Sequence, residues 1–317
     1  MFLSISQERG GSFCVFAQKL PCLPEQKCYN VFMNGKEILQ AAQKNQYALG
    51  SFNFSTAEIL KAIVTVGKKF EAPLIVSTSE GEGDFFGMKA ASAMVDFYKK
   101  ETGLDIILNL DHGKSLEKVK EAIEAGYTAI HFDGSQYDFV ENIKKTKEIV
   151  DYVKSVNENI VVEGELGYLR GSSALHDETL EIFKDDLTDP GQAQKFVEST
   201  GIDSLAMVIG NAHGVYTNSP EKLYLDRLQE IKEAVGPEAF LVLHGGSGVP
   251  PEDVRAAIKL GVVKVNINTD MRLAWRRGLE DGLRANPDSC TPYKILKSSL
   301  EGVQAVVEEK IKIFYNK

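Results

Sequence analysis

Three of the five histidines in the sequence share one local context, in which glycine follows the histidine directly. They are His112, His213 and His244, and each comes at or just after a short apolar run that is typical of a buried strand. Neutral imidazoles are preferred zinc ligands, and three of them with an open fourth position form a catalytic zinc site. We therefore expect a shared metal ion, with the glycines leaving room for a substrate.

Carboxylates stand close to these histidines in the sequence. Asp111 precedes His112, Asp133 ends the next apolar run, and Glu163 and Glu165 alternate along another run, so that both point to one face. Acids that point into a pocket are costly unless a metal, a substrate or a hydrogen-bond donor pairs with them. We expect them at the same site, and the alternative for each is an ordinary strand-end ion pair.

Small residues with hydrogen-bond donors collect near the last two strand-like runs, at Gly245, Gly246, Ser247, Asn266 and Thr269. Many barrels bind phosphate through backbone N–H groups and hydroxyls in the loops after strands seven and eight. The sequence therefore predicts a phosphate site here.

The two remaining histidines have simpler interpretations. His131 lies within a strand-like run and is interpreted as a packing residue of the interior. His176 lies in a polar stretch after Gly171 and is expected to be an exposed or tethered loop residue.

The elements that must position these residues are eight strand-like runs that alternate with amphipathic helical stretches. The strand candidates are Ala48–Phe54, Pro73–Ser77, Asp105–Leu110, Ala129–Phe132, Ile160–Glu165, Ser204–Ile209, Phe240–Leu243 and Val262–Ile267. Eightfold alternation in a chain of 317 residues predicts an α/β fold, the (β/α)8 TIM barrel, in which the strand ends meet at one mouth. A doubly wound sheet is the alternative, but no GxGxxG follows the first strand.

Composition and charge bound the remaining properties. Residues 1–32 hold three of the four cysteines and show no steady period, so we expect an irregular, poorly ordered N-terminal extension before a single catalytic domain at 33–317. The net charge of −9 without a basic block argues against nucleic acid or an anionic membrane surface as a partner. No apolar run approaches the roughly 20 residues of a membrane span. The unpaired cysteine spacing indicates reduced, cytoplasmic thiols.

In their order along the chain, these motifs resemble the class II, metal-dependent ketose-bisphosphate aldolases. The resemblance runs from about residue 33 to the C-terminus and rests on Ser51-Phe52-Asn53, Ser79-Glu80-Gly81, Leu110-Asp111-His112-Gly113, Asp133-Gly134-Ser135, Glu163-Gly164-Glu165-Leu166-Gly167, Gly210-Asn211-Ala212-His213-Gly214-Val215-Tyr216, His244-Gly245-Gly246-Ser247-Gly248 and Lys264-Val265-Asn266-Ile267-Asn268-Thr269-Asp270.

This resemblance implies roles for individual residues. Zinc would be held by His112, His213 and His244, with Glu165 and Asp133 near an alternative metal position. Asp111 would donate the proton to the aldehyde-derived oxygen. The implied substrate and phosphate contacts are Asn53, Ser79, Gly214, Gly245, Gly246, Ser247, Asn266, Asn268 and Thr269. A sodium or potassium ion near the phosphate is also implied.

The activity that the resemblance implies is reversible cleavage of a ketose 1,6-bisphosphate, with fructose 1,6-bisphosphate as the best candidate. The products would be dihydroxyacetone phosphate and glyceraldehyde 3-phosphate, and zinc would stabilise the enediolate. The implied setting is glycolysis and gluconeogenesis, in a cytoplasmic homodimer or homotetramer.

The sequence departs from the family pattern at four places: Asn109 stands for a histidine, Thr217 for a lysine, Asp84 beside Glu82 for a basic residue, and Ser172 with Ser173 for acidic residues. Two of these changes remove positive charge near anionic positions, which weakens the prediction of a second phosphate. The serines leave the proton-abstracting base open, with Glu178 as one candidate.

Alternatives from other classes stay open. A Schiff-base aldolase would use a lysine, for which Lys264 is the candidate. The chain could also be a non-catalytic barrel that binds zinc or a sugar phosphate, a tagatose-bisphosphate or other ketose-phosphate aldolase, or a metal-dependent epimerase or isomerase.

Overall fold

Ten strands and twelve α-helices make up the regular structure of residues 32–218 and 221–315, the part of the chain that the computed structural model describes. The strands are β1 Leu49–Asn53, β2 Leu74–Ser79, β3 Ile106–Gly113, β4 Ala129–Phe132, β5 Val161–Leu166, β6 Gly171–His176, β7 Ser204–Met207, β8 His213–Tyr216, β9 Phe240–Leu243 and β10 Val262–Ile267. The predicted extension at 1–32 lies outside the described residues, apart from Phe32.

The helices stand mostly between successive strands. They are α1 Gly35–Lys44, α2 Ala57–Phe70, α3 Glu80–Phe86, α4 Met88–Thr102, α5 Leu116–Ala125, α6 Phe139–Val156, α7 Pro190–Thr200, α8 Leu225–Val235, α9 Pro251–Lys259, α10 Thr269–Ala285, α11 Pro292–Ile295 and α12 Lys297–Phe314, with a 3-10 turn at Lys184–Asp186. Among the described residues, no helix is long and apolar enough to cross a membrane.

Eight of the strands are parallel and close into a barrel in the order β1-β10-β9-β7-β5-β4-β3-β2. Each of them overlaps one of the eight strand candidates, so the predicted (β/α)8 TIM barrel is confirmed. Because all eight strands run the same way, their C-terminal ends form one mouth.

The opposite end of the barrel is closed by α1. Asn34 caps this helix with a capping box, in which its side chain accepts from the Glu37 backbone and Glu37 reaches back. Ile38 and Leu39 are buried in a cluster of residues from the N-terminal ends of the strands, such as Ile107. This apolar plug leaves the C-terminal mouth as the open end.

Strands β6 and β8 pair with each other in a separate two-stranded sheet that is not part of the barrel. The expectation of a loop around His176 is therefore wrong, since this histidine ends β6 and stacks on Tyr216 with ring centroids 4.7 Å apart. Both strands are short and contain no continuous apolar run of the kind seen in the barrel strands.

Candidate active site

His112 lies at the end of β3 in a backbone conformation that non-glycine residues rarely adopt, with φ at 52°. Its backbone N–H donates to Nδ1 of His131 at 3.1 Å. The left-handed turn at the strand end is therefore supported by a buried neighbour, as expected for local strain at a functional position.

Two carboxylates fix the ring orientations of His112 and His244. Nδ1 of His112 lies 3.1 Å from a carboxylate oxygen of Asp133, and Nε2 of His244 lies 2.8 Å from Glu163. When these nitrogens donate to the carboxylates, the other nitrogen of each ring carries a lone pair. Those two nitrogens, Nε2 of His112 and Nδ1 of His244, face each other at 3.2 Å.

Facing lone pairs at this distance repel unless a cation or a proton lies between them. Burial opposes protonation of His112, but the charge of Asp111 raises the pKa of His112, so a proton can occupy this point when no metal does. The 3.2 Å separation is also about that of two ligands at a zinc–nitrogen distance of roughly 2.0–2.1 Å. The chemistry of this donor set therefore fits a zinc ion.

His213 approaches the same point from the loop after β7. Its ring centroid lies 4.9 Å from that of His112 and 6.4 Å from that of His244. Burial, followed by the charge of His112, lowers the pKa of His213 to about 3, which keeps the imidazole neutral as a metal ligand requires.

Two tighter groups of ligand atoms occur among the described residues. One is formed by Asp111, His112, His131 and His244, and the other by His112, Asp133 and Glu165; within each, the ligand atoms lie within 4.8 Å of one another. His213 belongs to neither group. Buried Glu165 Oε2 and His131 Nε2 lie 3.2 Å apart, yet neither has a hydrogen-bond partner of suitable geometry, so both keep capacity for a further ligand.

Asp111 is held from two sides by amide donors. Asn53 donates to one carboxylate oxygen at 2.9 Å and Asn266 to the other at 3.0 Å. Burial alone would raise the pKa of Asp111, but the neighbouring charge of His112 holds it well below its usual range. Asp111 is therefore a carboxylate, ready to accept a proton.

Glu163 is part of a buried relay between a lysine and a histidine. Its second oxygen accepts from Nζ of Lys264 at 2.7 Å. Burial opposes ionisation, but the charge of Lys264 holds the pKa of Glu163 below its usual value. Lys264 is buried and paired, and it does not line the mouth pocket.

Backbone donors form the opposite wall of the pocket. Gly245 has a φ of 66°, and a Cβ atom there would collide with the carbonyl of Ala212, so the turn requires glycine. The hydroxyl of Ser247 accepts from the backbone of Asp270 at 3.3 Å. The N-cap residue Asn268 does not cap α10 with its side chain, so the helix, which begins at Thr269 beside this turn, keeps N–H groups other than that of Asp270 for an anion.

A cleft of about 510 Å³ joins these parts. Twelve of the predicted site residues line it: Asn53, Ser79, Asp111, His112, His213, Gly214, His244, Gly245, Ser247, Asn266, Asn268 and Thr269. Gly246, Asp133 and Glu165 do not, because the Gly246 N–H donates to Asn266 at 3.0 Å and the two acids lie behind His112. The candidate base Glu178 is also absent from the lining, and its side chain is 75% exposed.

Sequence reasoning missed several residues of this site. His131 is completely buried within the first ligand group, and a histidine inside a strand gives no signal of which way it points. Arg272 and Ser173 line the cleft as well. Arg272 lies one helical turn beyond Asn268, a position that its spacing from the last strand could have indicated.

Comparison with known proteins agrees with this geometry. Residues 33–317 match the sequence family described as fructose-bisphosphate aldolase class-II. The chain belongs to this family. The match spans the whole barrel and includes every residue discussed above, so the chain is an aldolase of the lyase class by family.

Solved structures of similar proteins come from bacteria and a fungus. The YdjI aldolase from Escherichia coli K12 is 33% identical with a TM-score of 0.75, over 88% of this chain and 96% of that one. A candidate fructose-1,6-bisphosphate aldolase from Coccidioides immitis is 26% identical with a TM-score of 0.76, over 89% and 96%. Fructose-bisphosphate aldolase from Campylobacter jejuni, at 21% identity, TM-score 0.76 and coverage of 89% and 95%, shows the shared class II aldolase fold alone.

Proposed function

We propose that this class II aldolase is zinc-dependent and reversibly cleaves a ketose phosphate into dihydroxyacetone phosphate and an aldehyde. The observation that supports this most is the pair of imidazole nitrogens, on His112 and His244, whose lone pairs converge at 3.2 Å beside the ionised Asp111. A bound zinc ion, held by these two histidines with His213, would act as a Lewis acid that stabilises negative charge on the ketose-derived fragment.

The protein's own groups would divide the remaining work. Asp111 would accept the proton of the hydroxyl that becomes the aldehyde oxygen, and would return it in the condensation direction. Asn53 and Asn266 orient its two oxygens. The N–H groups at Gly245 and at the start of α10 would hold one phosphate and so fix the reacting carbons in place.

The Schiff-base alternative has less support. A Schiff base needs a neutral amine that reaches the substrate carbonyl. Nζ of Lys264 is paired with Glu163 at 2.7 Å and lies in a separate part of the barrel interior, lined by residues such as Ile107 and Val161.

Several finer features belong to the same proposal. Fructose 1,6-bisphosphate is the first substrate to test, and tagatose 1,6-bisphosphate is the alternative that differs at one stereocentre. Glu165 and Asp133 would serve an alternative metal position, and Ser79, Gly214, Ser247, Asn268 and Thr269 would contact substrate or phosphate. A sodium or potassium ion near the phosphate, a homodimer or homotetramer and a cytoplasmic location are proposed from the resemblance.

The proposal is tested by following aldehyde and dihydroxyacetone phosphate release from fructose 1,6-bisphosphate, tagatose 1,6-bisphosphate and fructose 1-phosphate. The protein is assayed as purified, after chelator treatment and after zinc is added back. We expect cleavage of at least one ketose phosphate that is lost with chelator and regained with zinc. Zinc bound in stoichiometric amount without cleavage of any of them would favour the non-catalytic alternative.

A further inference from the structure

Arg272 provides the positive charge of the cleft. It is the only lysine or arginine among the residues that line the cleft in the described part of the chain. Its guanidinium is already engaged, because Nη2 donates to Oε1 of Glu82 at 2.6 Å. The Glu82 side chain is only 9% exposed whereas that of Arg272 is 47% exposed, so the pair joins a buried carboxylate to a half-exposed guanidinium at the edge of the cleft.

Glu82 is locked in this position by its second oxygen. Oε2 accepts from the amide of Asn53 at 2.9 Å and from both the backbone N–H and the hydroxyl of Ser79 at 2.9 Å. The bond from the Ser79 backbone N–H is also one half of the capping box of α3. Glu82 therefore cannot turn away from Arg272 without leaving buried donors unpaired.

Within the pair, Glu82 lies on the aldehyde side of the cleft. The amide of Asn53 is shared between Glu82 and Asp111, at 2.9 Å from an oxygen of each. Asp111 is the group proposed to exchange a proton with the aldehyde-derived oxygen. The phosphate donors at Gly245 and the α10 N-terminus follow β9 and β10 instead, and Arg272 reaches Glu82 from the first turn of α10.

A second phosphate on the aldehyde fragment would find no unpaired cation here. It would approach Arg272 only beside the fixed carboxylate of Glu82, and like charges brought together disfavour binding. The nearby cation Lys118 offers no alternative, because it pairs with Asp84 at 2.6 Å. A polyol suits this edge better, since hydroxyls can donate to Glu82 and accept from the remaining N–H groups of Arg272.

We propose that the substrate is a ketose 1-phosphate whose far end is an uncharged polyol, and that the Glu82–Arg272 pair selects against a second phosphate. The inference rests on the proposed aldolase function and narrows its substrate to one phosphate. The C4 hydroxyl would then lose its proton to Asp111 as the C3–C4 bond breaks, which gives a neutral hydroxyaldehyde and leaves the electron pair on the other fragment as an enediolate. Protonation of this enediolate at C3 would give dihydroxyacetone phosphate, so that the net reaction moves one proton from the C4 hydroxyl to C3.

The test compares fructose 1-phosphate with fructose 1,6-bisphosphate on the zinc-loaded full chain. Dissociation constants are measured by calorimetry and kcat/KM by product release, for the parent protein, Glu82→Gln and Asp84→Asn. Glutamine keeps the capping box of α3. Asp84→Asn removes the same charge from the same helix, but Asp84 pairs with Lys118 and not with Arg272, so this variant serves as the matched control.

We expect the parent protein to favour the monophosphate by about tenfold or more in both quantities. In Glu82→Gln this preference falls by about tenfold because the bisphosphate improves, whereas in Asp84→Asn it changes by less than about twofold. If the parent protein prefers the bisphosphate, the inference is overturned while the aldolase function stands. This comparison uses the parent protein alone and does not depend on the folding of any variant. If Glu82→Gln keeps the same preference for the monophosphate, Glu82 is not the cause of that preference, and the inference is overturned as well.

Failure of the aldolase function is recognised separately. If both sugar phosphates bind and neither is cleaved, the aldolase function is rejected, and the ratio of the dissociation constants still decides for or against selection by Glu82. If neither binds, both the proposed function and this inference are rejected.

Discussion

At the scale of single residues, Asp111 has the most specific chemical task. Its two oxygens accept from Asn53 and Asn266, so the carboxylate is oriented and ionised before any substrate arrives. An oriented carboxylate beside the metal ligands can take the hydroxyl proton of the aldehyde fragment, but it has no task at the carbon that loses its proton in dihydroxyacetone phosphate. Asp111 should therefore be needed for only one half of the reaction.

Asp111→Asn tests this separation. We expect kcat/KM for cleavage to fall roughly 10²–10⁴-fold, as for loss of a general acid–base group. Zinc content and exchange of the dihydroxyacetone phosphate C3 proton with solvent should be retained. Cleavage is followed by product release, content by elemental analysis and exchange by NMR, with Asp84→Asn as the control. If Asp111→Asn loses both its zinc and its cleavage activity, Asp111 is needed to hold the metal, and the proposed separation is contradicted.

Gly245 is a residue that the turn requires for two separable reasons, its positive φ and the nearby carbonyl of Ala212. We expect Gly245→Ala to lower the free energy of unfolding by at least about 3 kcal/mol. Gly201→Ala is the matched control, since its φ of 71° is similar and the nearest atom to an added Cβ lies at 4.0 Å. That control should cost about 1–2 kcal/mol.

Urea denaturation of both glycine variants gives the comparison. If Gly245→Ala and Gly201→Ala lose equal free energies of unfolding, the positive φ alone accounts for the cost, and the nearby carbonyl of Ala212 does not constrain the turn.

At the scale of elements, a buried acid joins the segment before α8 to the loop that carries His213. Glu221 is 3% exposed, one oxygen accepts from the backbone of Ala212 at 2.9 Å, and the other has no hydrogen-bond partner. Burial raises the pKa of Glu221 to about 8. The unfolded value is about 4.3, so between these two pH values the folded state binds the proton more tightly than the unfolded state does.

The consequence is a loss of stability as the pH rises through this window. Glu221 should contribute most below about pH 4.3, and its contribution should fall by at most about 1.4 kcal/mol per pH unit until about pH 8. In Glu221→Gln, which keeps the acceptor, that slope should disappear, so the variant gains stability relative to the parent between pH 5 and 8. Urea denaturation across this range checks it, with exposed Glu238→Gln as the control; parallel curves for parent and Glu221→Gln would rule out the buried acid.

How far the elements could be predicted depended on whether their own sequence specified them. The barrel strands have a local pattern of apolar runs, and each was predicted within a few residues. The pair β6 and β8 has no such pattern, because both strands are short, lack an apolar run and pair with each other. The histidine in β6 was therefore misread as a loop residue.

At the scale of the whole molecule, barrel closure explains why the site could be predicted in outline but not in detail. Parallel strands bring all their C-terminal ends to one mouth, so His112 and His244, far apart in sequence, could be placed together from strand order alone. His131 was correctly expected in the interior, but its position within 4.8 Å of the ligand atoms of Asp111, His112 and His244 depends on how neighbouring strands are registered. The pairing of Arg272 with Glu82 is likewise a contact between distant elements that no local pattern announces.

The most direct test of the central claim is the zinc-dependent exchange of a C3 hydrogen of dihydroxyacetone phosphate with deuterated water, followed by proton NMR. This half reaction does not depend on which aldehyde the enzyme uses. We predict that zinc-loaded protein loses one C3 proton signal over time, that a chelator stops the loss and that added zinc restores it. Exchange that is unaffected by the chelator, or no exchange by protein that binds both zinc and dihydroxyacetone phosphate, would contradict a metal aldolase at this site.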